Sequence, residues 1–469
     1  MKKFVKFVLI ALIPLFACCG EKEKGISVEK IIVEPSFTTI KVGEEVQLNV
    51  KTVPSVAMSE LTYKSTNPDV ATVKGEGWVK GLSGGVTYIN ISWQGLRSAR
   101  CTLSVKEKVS SLLDPTEAIK APLSKDILLT STTLYATGNI MQDGDRISDT
   151  GPFFFTQNRQ STSLENNSKY IVYLTKHDKV NEKYSSYMCL KWFGHGNMML
   201  CENTEDGEYI WLSSHGQATY GTYADYGSNH TFSRFKYVAN STAEHCAGDT
   251  FWMDSYVNNA GEKVSITALE VNVDFENRRV VVGGRSTGTR HFVMFDLDEM
   301  LALSSENINI TRSWGGEEGT PKRVSQTETI RAKNLTKLKP LGSFTLKSNL
   351  SSTDKSLLYS YNSQGFAVWG DYIYWYEGNA VETTSGKYDD SVAYVAVLDY
   401  LGNIVCPRTK VAAASDFANQ ETLLDCADHY CEAEGLHIHD GYLYLGIGTH
   451  NSKGHRIANM LKYKCIQKD

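Results

Sequence analysis

Two stretches near the C-terminus repeat one pattern, and that repetition limits the fold more than any single motif does. Gln364-Gly365-Phe366-Ala367-Val368 precedes Asp371-Tyr372-Ile373-Tyr374-Trp375, and Glu434-Gly435-Leu436-His437-Ile438 precedes Gly441-Tyr442-Leu443-Tyr444-Leu445. Each unit is a polar residue, a glycine, an alternating strand, a tight turn and a second aromatic strand. A third copy is His195 to Leu200 with Glu208 to Leu212, and a fourth is Gln160 to Leu164 with Lys169 to Tyr173. A degenerate fifth runs Ile266 to Val273 with Arg279 to Val282, before His291 to Leu297. Further strands follow the hairpins, as Val392 to Tyr400 does, with Gly402-Asn403-Ile404-Val405 after it. Spread over residues 131–469, five units average about 68 residues, longer than a compact propeller blade of about 40–50. Radial repetition protects the edges of many antiparallel sheets. The repeats therefore predict a five-bladed β-propeller over 131–469, with polar inserts at 213–263 and 305–360 as excursions between or above blades.

Composition agrees with an all-β chain. The 37 Gly, 25 Tyr and 17 Phe suit turns and strands, and only 10 Pro interrupt them. With 48 basic and 53 acidic residues the formal charge is −5, which excludes a polybasic nucleic-acid binder. The ten cysteines are too sparse for a disulfide scaffold. Cys189 with Cys201 and Cys426 with Cys431 form either local bridges or unpaired core thiols, and the second pair lacks the spacing of a redox or zinc motif.

The N-terminus stands apart from this fold. Three lysines within residues 1–6 precede an apolar stretch, Phe7 to Phe16, too short for a stable membrane span. Leu15-Phe16-Ala17-Cys18 resembles the lipobox of bacterial lipoproteins, which implies a signal peptide over 1–17 and lipidation of Cys18. The competing reading is an ordinary secretory signal. Residues 18–25 form a tether, and its Gly20-Glu21-Lys22-Glu23-Lys24 looks like the surface-export signal of Bacteroidetes lipoproteins. That resemblance implies a lipid-anchored, surface-exposed outer-membrane protein whose membrane partner is reached through the N-terminal lipid.

Residues 26–105 alternate as a small sandwich, with strands at Val28 to Val33, Val46 to Val50, Leu61 to Ser65, Ala71 to Lys74, Trp78 to Gly81, Val86 to Trp93 and Ala99 to Val105. The passages VGEEVQLNVKTVPS, LTYKSTNPDVATV, GWVKGLSGG and TYINISW resemble the group 2 bacterial immunoglobulin-like domain. That family supplies spacers and adhesive modules, so a presentation role is expected here. Residues 106–130, with a charged start and prolines at 115 and 122, read as a linker.

In the C-terminal region FGHGN at 193–197, EYIWLSS at 208–214, QGFAV at 364–368 and EAEGLHIHDGYLYLGI at 432–447 resemble the five-bladed propeller shared by phage receptor-binding, teichoic-acid-associated and helveticin-J-type proteins. The resemblance implies extracellular recognition, with an envelope or extracellular glycan as partner.

In a propeller the first strand of each blade lines the central channel. Gln160, His195, Gln364 and Glu434, with a residue near Thr267, are then expected to meet, and Gly196, Gly365 and Gly435 permit close backbone approach. Such a ring suits a hydroxyl-rich ligand, with His195 titrating near neutral pH and Glu434 supplying charge. The alternative is a ring that holds buried water and seals the channel. His437 and His439 share a strand face and need a third ligand to hold zinc; the alternative is satisfied histidines on a polar strand, and His437 is also a ligand-binding candidate. No cofactor is expected, with calcium or another axial ion left open. Trp192, Trp211, Trp369, Trp375 and Tyr376 stack on sugars only if exposed and otherwise pack between blades. No nucleophile elbow, phosphate loop, dinucleotide fingerprint or HExxH helix is present. A glycan-binding surface protein is thus the first expectation. The alternatives are a polysaccharide hydrolase or lyase with carboxylates at the channel mouth, joined by Asp425, Asp428 and His429, and a structural or protein-interaction propeller.

Overall fold

The computed structural model describes residues 27–468, apart from 96, 107–110, 147, 149–150, 161–169, 217–229, 246–247 and 315–323. The expected signal peptide, Cys18 and the whole tether lie outside the described residues. The chain divides into two compact units, Met1–Val105 and Lys106–Asp469. Helices are few and short, and among the described residues none is long and apolar enough to cross a membrane.

The first unit is an immunoglobulin-like sandwich. One sheet runs in the order Phe37–Lys41, Arg97–Lys106, Gly85–Trp93, Leu61–Ser65, and another in the order Glu45–Gln47, Trp78–Gly81, Ala71–Gly75. Their inward residues, among them Ile40, Val79, Ile89, Ile91 and Leu103, form its core. The Ser65-Thr66-Asn67 segment explains its own composition. Thr87 Oγ1 takes the Asn67 backbone N–H at 2.9 Å and pairs with Ser65 Oγ at 2.9 Å, while Asn67 Oδ1 caps Asp69 N at 3.2 Å. Small polar side chains thereby satisfy a corner that has no ladder partner.

The second unit contains five main sheets, each opened by a leading strand: β1 (Met141–Arg146), β2 (Leu200–Thr204), β3 (Thr267–Asp274), β4 (Ser363–Trp369) and β5 (Cys431–His439). From β3, β4 and β5 the chain passes outward through antiparallel hairpins, as in β4, Tyr372–Asn379, Val392–Asp399, Ile404–Lys410. The sheet of β5 takes its outermost strand, Leu128–Thr133, from the start of the unit. β1 lies against β2 and β5, β2 against β3, β3 against β4, and β4 against β5.

Apolar side chains fill the spaces between neighbouring sheets. Val280 and Val282 pack with Trp211, Phe232 and Phe251 of the preceding sheet, whereas Val281 packs with Phe366, Val368 and Trp375 of the following one. Period-two alternation thus buries both faces of one sheet against different neighbours. Trp192, Trp211, Trp369, Trp375 and Tyr376 are all buried, so they serve packing.

Leading strands have one edge without a ladder partner in their own sheet, and side chains from the adjacent leading strand satisfy it. Asp143 Oδ2 accepts Met199 N at 2.7 Å and Asp145 Oδ2 accepts Cys201 N at 2.9 Å. Asn272 Oδ1 accepts Val368 N at 3.0 Å and Asp274 Oδ2 accepts Gly370 N at 2.6 Å. The two-residue spacing on donor and acceptor strands matches the pleat.

Several expectations need correction. Gln160 does not open a leading strand: it ends Phe153–Gln160, the second strand of its sheet, opposite Tyr170. The leading strand is the polar β1, which the repeat comparison passed over. The 106–130 segment is not a free linker, because Leu112–Asp114 pairs with Ile466–Lys468 and Ile119 and Leu123 are buried in the core. The inserts also carry sheet strands, since Thr231–Lys236 and Gly342–Lys347 belong to the sheets of β2 and β3. Of the two readings left open for Cys189, Cys201, Cys426 and Cys431, the unpaired one holds, since all four are free thiols.

Replacing Asp274 with alanine removes the acceptor of the buried Gly370 N–H. Urea unfolding is expected to show a loss of about 1–3 kcal/mol, whereas Asp399→Ala, whose carboxylate serves an exposed turn, is expected to cost less.

Candidate functional site

A cavity of about 300 Å³ sits at the starts of the leading strands, lined by Gln142, His195, Asn197, Arg285, Arg290, Leu350, Tyr359, Asn362, Ser363, Gln364, Glu432 and Glu434. A local irregularity explains how polar side chains reach it. Ladder register shifts between Met141 and Asp143, between Ser363 and Gly365, and between Ala433 and Leu436. The residues left outside the ladder include Gln142, Gln364 and Glu434. A bulge re-aims the residue it frees, and here it turns three polar side chains into one cavity. The corresponding shift in β3, between Thr267 and Glu270, precedes Glu270. Glycine is required at Gly435, where φ is +86° and a Cβ would stand 1.8 Å from Asp143 Oδ1.

Three residues expected together, His195, Gln364 and Glu434, therefore do meet. The side chain of Gln160 lies outside the described residues. Asp425, Asp428 and His429 are elsewhere: Asp428 bonds His450 at 2.5 Å, and His429 bonds Asp389 and Glu421 at 2.5 and 2.8 Å. The sequence reading missed Gln142, Asn197, Glu270, Arg285, Arg290 and Tyr359. Gln142 carries the same signal as Gln364, a polar residue at the head of a repeat, hidden by the misaligned copy.

A buried ion cluster underlies the cavity. Glu270 accepts from Arg290 Nη1, from Arg285 Nη2 at 3.2 Å and from Asn197 Nδ2 at 2.7 Å. Burial alone would raise its pKa, but Arg290 and Arg285 outweigh that and hold it below the usual carboxylate value. His195 accepts a hydrogen bond at Nδ1 from Asn158 Nδ2 at 2.6 Å. Burial, reinforced by Arg285, pushes the imidazole down to about 4. His195 is thus neutral near pH 7, contrary to the expected titration, with its proton on Nε2. Glu434 behaves oppositely from expectation as well. Burial, then Glu432 and Asp143, push its carboxyl well above the ordinary range against the pull of Arg456. It keeps its proton where a solvated glutamate has lost it, and it supplies a donor rather than a charge.

His437 belongs to a different place. A second cavity, about 390 Å³, lies toward the far ends of β3, β4 and β5 and includes Glu202, Asn272, Asp274, Trp369, His437 and His439. His437 Nε2 donates to Asp143 at 2.9 Å, its Nδ1 is 3.7 Å from Asp145, and His439 Nε2 is 3.4 Å from Asp145. Burial lowers the His437 pKa, but Asp145 and Asp143 prevail and raise it to about 9. His437 is a cationic clasp between β5 and β1. Among the described residues no group of three or more His, Cys, Asp or Glu side chains is arranged to hold a metal ion.

Residues 27–101 match the family model of the bacterial Ig-like domain (group 2). The sequence matches none of the curated proteins. Among solved structures the chain is similar to the tail fibre of Staphylococcus aureus phage P68, at 12% identity and a TM-score of 0.42, over 72% of this chain and 53% of the fibre, about half its length. It is similar to a glycoside hydrolase at 9% identity and a TM-score of 0.31, over 77% of this chain and 94% of that one. It is also similar to the NanB sialidase from Streptococcus pneumoniae at 7% identity and a TM-score of 0.29, over 82% and 84% of the two chains. Likenesses this distant assign no function.

Both buried groups make stability depend on pH. The unfolded chain loses the Glu434 proton near the ordinary value of 4.5 while the folded chain holds it to higher pH, so stability falls as pH rises above that value. Glu434→Gln is expected to raise the urea midpoint at pH 8 and leave it nearly unchanged at pH 4; equal effects at both would remove the assignment. His437 has the opposite origin but the same slope. Its pairing is fully present below the unfolded value of 6.5 and is lost as pH rises through about 9. His437→Gln is expected to cost about 3–5 kcal/mol at pH 6 and to flatten the alkaline limb of the stability profile.

Proposed function

We propose that the five sheets are the blades of a propeller, and that the cavity at the starts of the leading strands binds a glycan at the cell surface. The cyclic succession of leading-strand contacts and the apolar packing between successive sheets support the propeller reading. The observation that carries the binding reading is the convergence of bulge residues Gln142, Gln364 and Glu434 with His195, Asn197, Tyr359 and Asn362 on one cavity. Amides, a phenol, a neutral imidazole and a protonated carboxyl present donors and acceptors in the mixture that sugar hydroxyls need. In this reading the Ig-like domain is a spacer, and the lipobox-like Leu15 to Cys18 supports a lipid anchor at the outer membrane.

A polysaccharide hydrolase is the second reading, favoured by one feature: the cavity region pairs a protonated Glu434 with an ionised Glu270. The three donors engaging Glu270 oppose its use as a base or nucleophile.

The purified chain should be screened against envelope and extracellular polysaccharides, with reducing ends measured in parallel. Binding without turnover, weakened about tenfold or about 1.4 kcal/mol by Gln364→Ala, is expected. Absence of binding to every polysaccharide overturns the reading, and turnover abolished by Glu434→Gln replaces it with the hydrolase.

A further inference from the structure

We propose that Ser286 is an acyl-transfer nucleophile with His291 as its general base, and that the pair cleaves esters of short carboxylic acids, such as O-acetyl groups. Neither residue lines the strand-start cavity, and the inference does not rest on the glycan-binding reading.

The pair sits at the turn of one hairpin. Ser286 ends the strand Arg279–Ser286, Thr287 and Gly288 make the turn, and His291 lies on the returning strand Thr289–Asp296. Residues opposite one another in the ladder share a face, and His291 stands opposite Gly284, two residues before Ser286. Ser286 and His291 are therefore diagonal neighbours on one face, while Arg285 and Arg290 alternate onto the other. Ser286 Oγ is 2.7 Å from His291 Nε2. Ser286 is exposed and His291 is buried, so the nucleophile meets solvent and the base is shielded from it.

Hydrogen bonds behind the imidazole set which nitrogen carries its proton. Asn259 Nδ2 donates to Ser343 O at 2.8 Å and Asn259 Oδ1 accepts Ser343 N at 3.0 Å, which fixes the orientation of that amide. Ser343 Oγ donates to the same Oδ1 at 3.4 Å. Its lone pairs are then left for the Tyr256 hydroxyl, with which it also bonds. With the Tyr256 proton directed at Ser343, Tyr256 Oη accepts from His291 Nδ1 at 3.1 Å. His291 Nε2 therefore carries a lone pair and accepts the Ser286 proton. That is the tautomer a general base requires, and Tyr256 takes the place of the third group that orients the base. Burial also holds the imidazole below its ordinary value of 6.5, so it is uncharged near pH 7.

The chemistry is complete with water as the second reactant. Ser286 Oγ attacks the ester carbonyl carbon as its proton passes to His291 Nε2; the carbon–oxygen bond to the alcohol breaks, and the alcohol leaves with that proton. Water deprotonated by the same nitrogen then releases the carboxylic acid and restores Ser286. The backbone N–H groups of Thr287 and Gly288 directly follow Ser286, and among the described residues neither has a protein acceptor. The N–H after a nucleophilic serine is a recurrent donor to the oxyanion. A site on an exposed turn suits a short acyl group presented from solvent.

The test treats the full chain with a fluorophosphonate probe and maps the adduct by peptide mass, while release of para-nitrophenol from its acetate ester is followed in parallel. A covalent adduct on Ser286, formed with loss of fluoride, is expected. Ser286→Ala, at an exposed position, should abolish the adduct and the ester cleavage. His291→Gln is expected to slow labelling about 100-fold. Because the base must be uncharged, the labelling rate should be level at neutral pH and fall only below 6.5. Tyr256→Phe should slow labelling and move that acid limb to lower pH, since the imidazolium loses an acceptor; a merely structural role for Tyr256 would leave the limb in place. Circular dichroism and the urea midpoint verify that each variant is folded, and if His291→Gln is not, the Tyr256→Phe variant and the pH profile decide. No adduct on Ser286, ester cleavage unchanged in Ser286→Ala, or labelling indifferent to a folded His291→Gln overturns the inference. Each of these leaves the glycan-binding reading standing.

Discussion

The second unit depends on how its leading strands satisfy their inner edges. An innermost strand presents backbone N–H groups that no strand of its own sheet can reach, and an unpaired buried N–H is costly. Here side chains answer them in pairs: Asp143 and Asp145 for Met199 and Cys201, and Asn272 and Asp274 for Val368 and Gly370. Both acceptors of a pair project from one strand face because side chains alternate. The bonds these carboxylates accept offset only part of the cost of burial, which still raises the pKa of Asp143 and Asp274. The same requirement recruits His437, whose imidazolium bridges to Asp143 and offsets part of the negative charge that the arrangement concentrates.

The cavity follows from this arrangement. Once neighbouring leading strands are held in register, the bulges near their N-terminal ends fall at one level, and the residues they release converge. Gly435 illustrates how tight that level is, since any side chain would collide with Asp143. The residue that holds β5 to β1 and the residue that lets Glu434 turn inward are thus coupled through one carboxylate. Burial among the neighbouring sheets, helped by Glu432 and Asp143 at Glu434 and by Arg285 at His195, keeps Glu434 protonated and His195 neutral.

The degree to which this was legible in sequence varied with what each strand does. β3, β4 and β5 pack apolar side chains between sheets, so they carry the alternation that marks strands, and the hairpins after them are readable. Met141-Gln142-Asp143-Gly144-Asp145-Arg146 spends its polar side chains on a neighbour's backbone. It does not look like a buried strand, although all six residues are buried. A comparison of the repeats consequently aligns one hairpin late, at Gln160, and passes over Gln142. His195, Gln364 and Glu434 were found because each precedes a glycine, a local signal. Glu270, Arg285 and Arg290 were not, because a salt-bridged cluster drawn from three strands leaves no pattern in any one of them.

Charge explains why the overall balance says so little about recognition. A formal −5 spread over 469 residues exerts a weak field at a distance, and salt screens it within about 8 Å at physiological ionic strength. Inside the cavity the charged and acidic groups are few and fixed: Arg285 and Arg290 against Glu270, Glu432 bonded to the Tyr430 hydroxyl, and Glu434 held protonated by its surroundings. Interactions among them are strong because the local dielectric is low. Such groups act after contact rather than during approach.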